Sequence, residues 1–307
     1  MEAIISYQYH VAAPTVQSWQ RWGHELELAK QQSSLEAKLS CPAGTMAVLQ
    51  RAFSLQLNRH DGWDCPEQAA FGWAARYYKR GVKFSSYEGQ SKVQFTQSYP
   101  NFADFDFVIV DSNVQPSGEQ GHLRLETSET RKTLELVAVI LARWRKMQRP
   151  KHWLIVGGGI LLDVACFAAA LSGAKTTLLP TTLTAMLDAS VGGKTGVNFP
   201  PFGKNQVGAF HFSERVIINP TWLQTLPQRQ LLAGAWEAVK HAIIAADIEM
   251  LNAWLTWSGD ITALPDLQAN LAVKIGIIST DAGETGLRRV LNFGHTLGHA
   301  LEGVAHA

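Results

Sequence analysis

The stretch from residue 179 to residue 210 constrains the fold most, because apolar segments enclose two glycine–lysine turns there. It begins with Pro-Thr-Thr directly after an apolar run, as a strand does when it ends at the edge of a sheet. A Gly-Gly-Lys-Thr turn at 192–195 and a Gly-Lys-Asn turn at 203–205 follow. Glycines let backbone N–H groups approach an anion closely, and each turn adds a lysine ammonium. The stretch predicts a pocket for a phosphorylated, polyhydroxylated ligand; a solvated loop is the alternative.

Composition and charge argue against several classes of protein. The 307 residues suffice for two domains, and 46% hydrophobic with 17% charged residues is ordinary for a globular protein. A formal net charge of +1 argues against nucleic acid or a membrane surface as the main partner. The longest apolar runs, such as 136–142, are too short to span a bilayer, and we see no signal-peptide pattern. Three cysteines without a CxxC pair favour a cytoplasmic location.

Apolar runs and their boundaries predict the main strands and helices. The runs at 105–110, 153–156 and 216–218 are typical of buried strands. Helices are predicted from Glu129 to about Met147, with Ser128 as the cap, from Ile160 to about Leu171, and from about Gln228 to Ile244.

Two of the predicted strands end in residues that suit a dinucleotide. Asp111 follows the strand at 105–110, and a carboxylate there suits the hydroxyls of a ribose; a plain turn is the alternative. Gly157, Gly158 and Gly159 follow the strand at 153–156 and precede a helix, the arrangement that places a pyrophosphate at a helix N-terminus. Leu162 occupies the third glycine position of the GxGxxG fingerprint, so the glycine turn alone is a partial match.

Two polar groups distinguish the C-terminal part. Glu237 and Lys240 share a helix face in apolar surroundings; a solvated ion pair is the alternative. At about 100° per residue, a second group falls within roughly 80° on one helix face: Glu284, Arg288, Asn292, His295 and His299. Such a stripe is costly to bury without partners or a ligand, and an exposed stripe is the alternative. The two histidines could bind one metal, but Thr296 excludes the HExxH protease motif.

Several sequence blocks, in the same order, resemble 3-dehydroquinate synthase, the NAD-dependent cyclase family of the shikimate pathway. They are PTTL, DASVGGKTGVN, GKNQVGAF, GGGILLD, WEAVKHAII and LRRVLNFGHTLGHALE, and the resemblance covers residues 93–303. It implies an α/β N-terminal nucleotide-binding domain over 92–220, followed by an all-helical metal-binding domain over 221–307. Residues 1–91 are a segment to which we assign no role.

The resemblance also assigns site residues. For NAD these are Asp111, Asn113, Glu129, Lys132, Gly157, Gly158, Gly159, Asp163, Thr181, Thr182 and Asp188. For substrate binding and catalysis they are Lys194, Lys204, Asn205, Lys240, Lys274, Arg288, Asn292 and His299. For a divalent metal, zinc or cobalt, they are Glu237 and His295. So many cations fit a small molecule that carries both a phosphate and a carboxylate.

The implied reaction is the cyclisation of 3-deoxy-D-arabino-heptulosonate 7-phosphate to 3-dehydroquinate with loss of phosphate, in a homodimer. The alternatives are another sugar-phosphate cyclase or a metal-dependent alcohol dehydrogenase, and an inactive homologue that acts as a binding protein. Two features depart from the family. Leu171-Ser172-Gly173 replaces an Arg-Gly pair whose arginine helps to hold substrate phosphate across the dimer interface. A further metal-binding histidine, in an HGE segment, would lie beyond residue 307, so we expect an incomplete helical domain.

Overall fold

The structure, a computed structural model, describes residues 3–11, 87–115, 121–199 and 203–294. Its strands and helices, in chain order, are β1 (Ala3–Val11), β2 (Tyr87–Phe95), β3 (Phe107–Asp111), β4 (Leu123–Leu125), α1 (Leu134–Lys146), β5 (His152–Gly157), α2 (Gly159–Ser172), β6 (Lys175–Pro180), β7 (Val197–Phe199), β8 (Gly203–Val207), β9 (Arg215–Ile218), α3 (Gln228–Ala245), α4 (Ile248–Leu255) and α5 (Leu267–Thr280). The three predicted strands and the predicted helices at α2 and α3 are confirmed.

In the described part of the chain, seven strands form the main sheet, in the order β1-β2-β9-β6-β5-β3-β4. β1 and β2 pair antiparallel, and the other pairs are parallel. All five residues of β3 are buried, as expected for a parallel strand that is covered on both faces. β7 and β8 form a separate antiparallel pair. The chain therefore has the α/β architecture that the sequence predicts.

The helices α1 and α2 pack against each other, and α2 packs on the central strands β5 and β6. α2 is apolar nearly all round, with eight buried residues between Leu161 and Ala169. It ends at Gly173, whose φ of 69° is a left-handed conformation that glycine adopts without strain. The last turn of α1 is basic, with Arg143, Arg145 and Lys146, which suits the negative end of the helix dipole.

The helix predicted to open at Glu129 is wrong in its start, because α1 begins at Leu134. Residues 129–131 form a short 3-10 helix, the chain is then extended, and the Ser128 side chain makes no capping hydrogen bond. The break turns Lys132 inward, where it is 6% exposed and pairs with a carboxylate on α2. Lys132 thus takes part in a tertiary ion pair and not in the first turn of α1.

The N-terminal segment contributes a strand to the sheet. β1 pairs along its whole length with β2, from Ala3 opposite Phe95 to Val11 opposite Tyr87. The domain boundary predicted between residues 91 and 92 falls inside β2. Tyr7 of β1 is buried, and β1 also contacts α5.

The helices after β9 pack on one another, with α3 against both α4 and α5. The continuous helix predicted over 284–299 is wrong for the part that the structure describes. Glu284 has a left-handed φ of 57°, and a short 3-10 helix covers Leu287–Asn292. The Asp281 carboxylate accepts hydrogen bonds from the N–H groups of residues 285, 286 and 288, and these bonds fix a turn. Among the described residues, no helix is long and apolar enough to cross a bilayer.

Candidate functional site

The carboxyl ends of β3, β5 and β6 lie side by side at one edge of the sheet. This arrangement brings together Asp111, the glycine turn at 157–159 and Thr181. A Cβ on Gly157 would lie 3.1 Å from the Asp111 Cβ, and one on Gly158 would lie 3.1 Å from Thr182 Cγ2. The glycines therefore let the strand ends approach closely. α2 starts here, and its first N–H groups have no partner within the helix.

Asp111 is buried and organises the turn after β3. Its Oδ1 accepts hydrogen bonds from the Asn113 backbone N–H over 2.9 Å and from Asn113 Nδ2 over 3.1 Å. Its Oδ2 accepts a hydrogen bond from the Thr127 hydroxyl. The geometry is that of a polar turn; Oδ1 already accepts two hydrogen bonds, and Oδ2 keeps a second lone pair for a hydroxyl donor.

Lys132, Asp163 and Asn205 form a partly buried cluster beside the glycine turn. The Lys132 Nζ lies 2.5 Å from Asp163 Oδ2 and donates to Asn205 Oδ1 over 2.5 Å. Burial raises the pKa of Asp163 to about 6, even though the Lys132 ammonium acts in the opposite direction. The cluster ties the strand β8 to α2, because Asn205 lies on β8 and Asp163 on α2.

A second contact holds the β7–β8 pair against the turn at residues 129–132. Asn198 Nδ2 donates to the Glu129 carbonyl and carboxylate oxygens, and Asn198 Oδ1 accepts the Asn205 N–H. The Lys204 Nζ lies 3.6 Å from Glu129 Oε1. The Gly-Lys-Asn turn predicted at 203–205 is wrong, because these residues begin strand β8. Sequence reasoning missed Asn198, although it ends the DASVGGKTGVN block, a signal that could have found it.

Asp188 lies in a π-helical turn, Ala185–Ala189, that adjoins the glycine turn. A Cβ on Gly159 would lie 3.4 Å from the Ala189 Cβ. The Lys274 ammonium, from α5, donates to the Asp188 carboxylate and, over 2.5 Å, to its carbonyl oxygen. Burial would raise the pKa of Asp188, but the ammonium groups of Lys274 and Lys240 hold it well below its usual range. A predicted cofactor residue and a predicted catalytic lysine are thus in direct contact.

The Gly-Gly-Lys-Thr turn contacts the segment after α5. Arg288 is 2% exposed and donates to the carbonyl oxygens of Gly192, over 2.6 Å, and Ala282, over 2.5 Å. Glu284 Oε2 lies 2.5 Å from the Lys194 Nζ, and Glu284 Oε1 accepts a hydrogen bond from Asn292 Nδ2 over 2.8 Å. The predicted residues Lys194, Glu284 and Asn292 are therefore in contact because the chain turns there, and not because they share one helix face.

Glu237, Lys240 and His241 form a group on the buried face of α3. The Lys240 Nζ lies 2.5 Å from Glu237 Oε1 and donates to the Leu291 carbonyl over 2.7 Å. His241 Nε2 lies 3.3 Å from the same Oε1. The side chains of Glu237 and Lys240 are only 12% and 8% exposed. The alternative of a solvated ion pair between them is therefore excluded. Sequence reasoning left His241 out, although its spacing of four residues from Glu237 predicts a shared face.

His295 and His299, the predicted metal and substrate histidines, lie outside the described residues. Within the described ranges no group of three or more His, Cys, Asp or Glu side chains could hold a metal ion. Glu237 is therefore the one predicted metal ligand whose position can be given.

Two solved structures with this architecture are sugar-phosphate cyclases. A 2-deoxy-scyllo-inosose synthase, complexed with carbaglucose-6-phosphate, NAD⁺ and Co²⁺, matches with a TM-score of 0.59 and 28% identity, over 70% of this chain and 66% of that one. The 2-epi-5-epi-valiolone synthase of Streptomyces hygroscopicus, with NAD⁺ and Zn²⁺ bound, matches with a TM-score of 0.56 and 25% identity, over 68% and 67% of the two chains. The fold is the dehydroquinate synthase-like fold, an α/β sheet domain followed by a helical domain.

Sequence comparison narrows this class to one family. Residues 122–233 match the N-terminal part of 3-dehydroquinate synthase, and residues 234–307 match its C-terminal part. The chain belongs to the 3-dehydroquinate synthase family. It is 41% identical over 209 residues to the 3-dehydroquinate synthase of Picosynechococcus sp., which covers 64% of this chain and 54% of the relative. It is 38% identical to the 3-dehydroquinate synthase of Synechocystis sp. over 229 residues, a match that covers 70% of this chain and 62% of the relative. The chain spans about half the length of the curated relatives that it matches.

Proposed function

We propose that the protein is a 3-dehydroquinate synthase, which cyclises 3-deoxy-D-arabino-heptulosonate 7-phosphate to 3-dehydroquinate and releases phosphate. The observation that carries the proposal is a group of buried cations next to the glycine turn. Lys240, Lys274 and Arg288 are 7%, 3% and 2% exposed. Lys274 and Lys240 each meet one carboxylate, of Asp188 and Glu237, whereas Arg288 donates to the carbonyl oxygens of Gly192 and Ala282. Three buried cations against two carboxylates leave positive charge, which a substrate with a phosphate and a carboxylate would neutralise.

NAD fits the edge formed by Asp111, the glycine turn and Thr182. The turn at 157–159 leaves room for a pyrophosphate at the N-terminus of α2, and the Asp111 carboxylate can accept from ribose hydroxyls. The β7–β8 pair, held by Lys132 and Asp163, lies beside this edge and carries Lys204 and Asn205 toward the same region.

We assign a divalent metal to Glu237, whose largely buried carboxylate already meets one cation, the Lys240 ammonium 2.5 Å from its Oε1. When bound, NAD would accept a hydride from a substrate carbon, and the metal would acidify the hydroxyl on that carbon. The residues of the chain would bind and orient the substrate. We assign Lys194, Lys274, Arg288 and Asn292 to its anionic groups, and His295 to the metal with Glu237.

The test is release of inorganic phosphate by the purified protein with NAD and Zn²⁺ or Co²⁺. We expect release from the heptulosonate phosphate only when both cofactors are present. Lys274→Met should lower the rate by about 100-fold, because a buried charge facing the substrate is lost. Lys175→Met is the matched control, since Lys175 is 66% exposed and pairs only at the surface with Glu214; its rate should not change.

A second candidate is another sugar-phosphate cyclase. It is favoured by the match to 2-deoxy-scyllo-inosose synthase and by the absence of an arginine at residues 171–173. Phosphate release from glucose 6-phosphate, with none from the heptulosonate phosphate, would select this candidate. NAD binding without turnover of either compound would select the inactive homologue.

The homodimer that the resemblance implies and the cytoplasmic location that the cysteine pattern predicts complete the proposal. Analytical ultracentrifugation of the purified protein at micromolar concentration tests the homodimer. A monomer under conditions of full activity would contradict it.

A further inference from the structure

Two tyrosines of β1 lie on the face of the sheet that meets the Gly-Gly-Lys-Thr turn. Tyr7 and Tyr9 are two residues apart on one strand, so their side chains point to the same face. Tyr7 is 4% exposed, and β1 contacts α5. Burial raises the pKa of Tyr7, whereas a hydrogen bond from the Gly192 backbone and the charge of Arg288 act in the opposite direction. The phenol of Tyr7 therefore lies close to both of these groups.

The ring of Tyr9 begins a stack of three aromatic rings that ends at Arg288. The rings of Tyr9 and Phe212 are parallel to within 10°, with centroids 3.9 Å apart. The rings of Phe212 and Phe210 are also parallel to within 10°, with centroids 6.3 Å apart. The Arg288 guanidinium carbon lies 5.6 Å from the centroid of Phe210, where the ring face attracts a cation. The stack thus connects a strand of the N-terminal segment to a buried cation of the candidate site.

The same stack supports the backbone of the Gly-Gly-Lys-Thr turn. A Cβ on Gly193 would lie 2.7 Å from Phe212 Cδ2, so the Phe212 ring packs directly on the turn. The His211 N–H donates to the Gly193 carbonyl over 2.7 Å, and Lys194 pairs with Phe210 in an isolated β-bridge. A movement of these rings would therefore also move Lys194.

Tyr9 reaches the stack across a glycine of β2. Tyr9 pairs with Gly89 in the register of β1 and β2. A Cβ on Gly89 would lie 2.4 Å from the Tyr9 hydroxyl oxygen and 2.7 Å from its Cζ. Because residue 89 has no side chain, the Tyr9 ring occupies the space above it. Any side chain at that position would have to displace the ring.

We propose that β1 is part of the substrate site, with Tyr9 as a positioning residue for Arg288 and the Gly-Gly-Lys-Thr turn. The inference rests on the proposed function, in which Lys194 and Arg288 bind the anionic groups of the substrate. Tyr9 acts on both through the stack and needs no contact with the substrate itself. NAD is assigned to the other glycine turn, at 157–159, so loss of the stack should weaken substrate binding and leave NAD binding unchanged.

The test is steady-state kinetics of phosphate release by the full chain, with NAD and Zn²⁺ present. In Tyr9→Leu the KM for the heptulosonate phosphate should rise about tenfold, because misplacing a positioned group by about 1 Å can cost about 100-fold in rate. The dissociation constant of NAD, measured by calorimetry, should stay within about twofold. Tyr9→Phe keeps the ring and should keep the wild-type KM. Gly89→Ala displaces the ring without removing it and should raise the KM in the same direction.

Tyr99→Leu is the matched control. Tyr99 also packs on an aromatic ring, edge-on to Trp222 at 5.3 Å, and its hydroxyl forms a hydrogen bond with Thr221. The control variant should leave the KM unchanged. A purely structural role of Tyr9 would reduce the amount of folded enzyme, and hence the apparent kcat, without changing the KM. Circular dichroism establishes that each variant is folded.

Hydrogen exchange tests the positioning without turnover. In Tyr9→Leu, peptides that cover 192–196 and 209–213 should exchange at least about tenfold faster, and those of β5 should exchange as in the wild-type protein. A folded Tyr9→Leu variant with the wild-type KM would overturn the inference, and so would unchanged exchange in both peptides. If the wild-type protein releases phosphate only from glucose 6-phosphate, the same rise in KM is expected for that compound. No release from either compound would refute the proposed function, whereas the exchange rates would still decide whether Tyr9 positions the turn.

Discussion

The ion pair between Lys132 and Asp163 allows a quantitative test of how the nucleotide edge is stabilised. Lys132 is 6% exposed, and its Nζ lies 2.5 Å from the Asp163 carboxylate. Asp163→Leu would leave the ammonium buried with Asn205 Oδ1 as its remaining partner. Breaking a buried pair by removing one partner costs about 3–5 kcal/mol. Because Asn205 remains and the Asp163 side chain is 20% exposed, we expect the lower end, about 3 kcal/mol.

The double variant should behave differently. Burial raises the pKa of Asp163 to about 6 despite the Lys132 ammonium, so the desolvation cost exceeds the attraction. Replacing both partners, as Lys132→Met with Asp163→Leu, should therefore change the free energy of unfolding by less than about 1 kcal/mol. A carboxyl whose pKa is raised on folding contributes stability at acid pH that is lost as the pH rises from about 4 to about 6. The double variant should lack this pH dependence.

Urea denaturation of both single variants and the double variant, followed by circular dichroism and tryptophan fluorescence, measures the coupling energy between Lys132 and Asp163. This energy should exceed about 2 kcal/mol. Glu126→Ala is the matched control, because the Arg131–Glu126 pair has a similar distance of 2.8 Å but side chains that are 47% and 74% exposed. It should cost less than about 1 kcal/mol. If the double variant loses as much free energy of unfolding as the two single variants together, Lys132 and Asp163 are not coupled and the reasoning is refuted.

Three further predictions follow from single contacts. Gly192→Ala should destabilise the fold by about 2 kcal/mol, measured by thermal denaturation, because φ is 109° and a Cβ would lie 2.6 Å from Arg288 Nη2. A wild-type melting temperature would contradict it. Burial would raise the pKa of Asp281, but N–H donors lower it to about 2, so wild-type stability should fall from about pH 4 to pH 2, and Asp281→Asn should lack this component. Asp163→Ala should weaken NAD binding in calorimetry, whereas Cys166→Ser should not; equal effects would refute the assignment.

The order of strands and helices could be predicted from the sequence because its signals are local. The apolar run of β5, the glycine turn and the apolar helix α2 are contiguous, so their pattern predicts both the elements and the close approach at Gly157. Strand β1 could not be found in this way, because its partner begins only at Tyr87 and the pairing is not local. Lys132 likewise pairs with a helix that follows later in the chain and is not part of the first turn of α1.

Within the candidate site, the sequence predicts some of the side-chain contacts but not the backbone geometry that produces them. Helical periodicity places Glu284 and Asn292 on one face, and the structure does bring them into contact over 2.8 Å. The contact arises from a turn that Asp281 fixes by accepting backbone N–H groups, and periodicity takes no account of such side-chain acceptors. The contact of His241 with Asn270, a residue of another helix, is likewise not local and could not be predicted from the sequence.

The place of β9 in the sheet bears on the order in which the chain can assemble during synthesis. β9 is the sole link in the described sheet between the β1–β2 pair and the group β6-β5-β3-β4. Until Arg215–Ile218 leaves the ribosome, these two groups share no strand, and β2 and β6 each present an unpaired edge. Nascent chains that stall before residue 215 are therefore the species most exposed to wrong strand pairing and aggregation. One four-residue strand thus decides when the two parts of the sheet become a single folding unit.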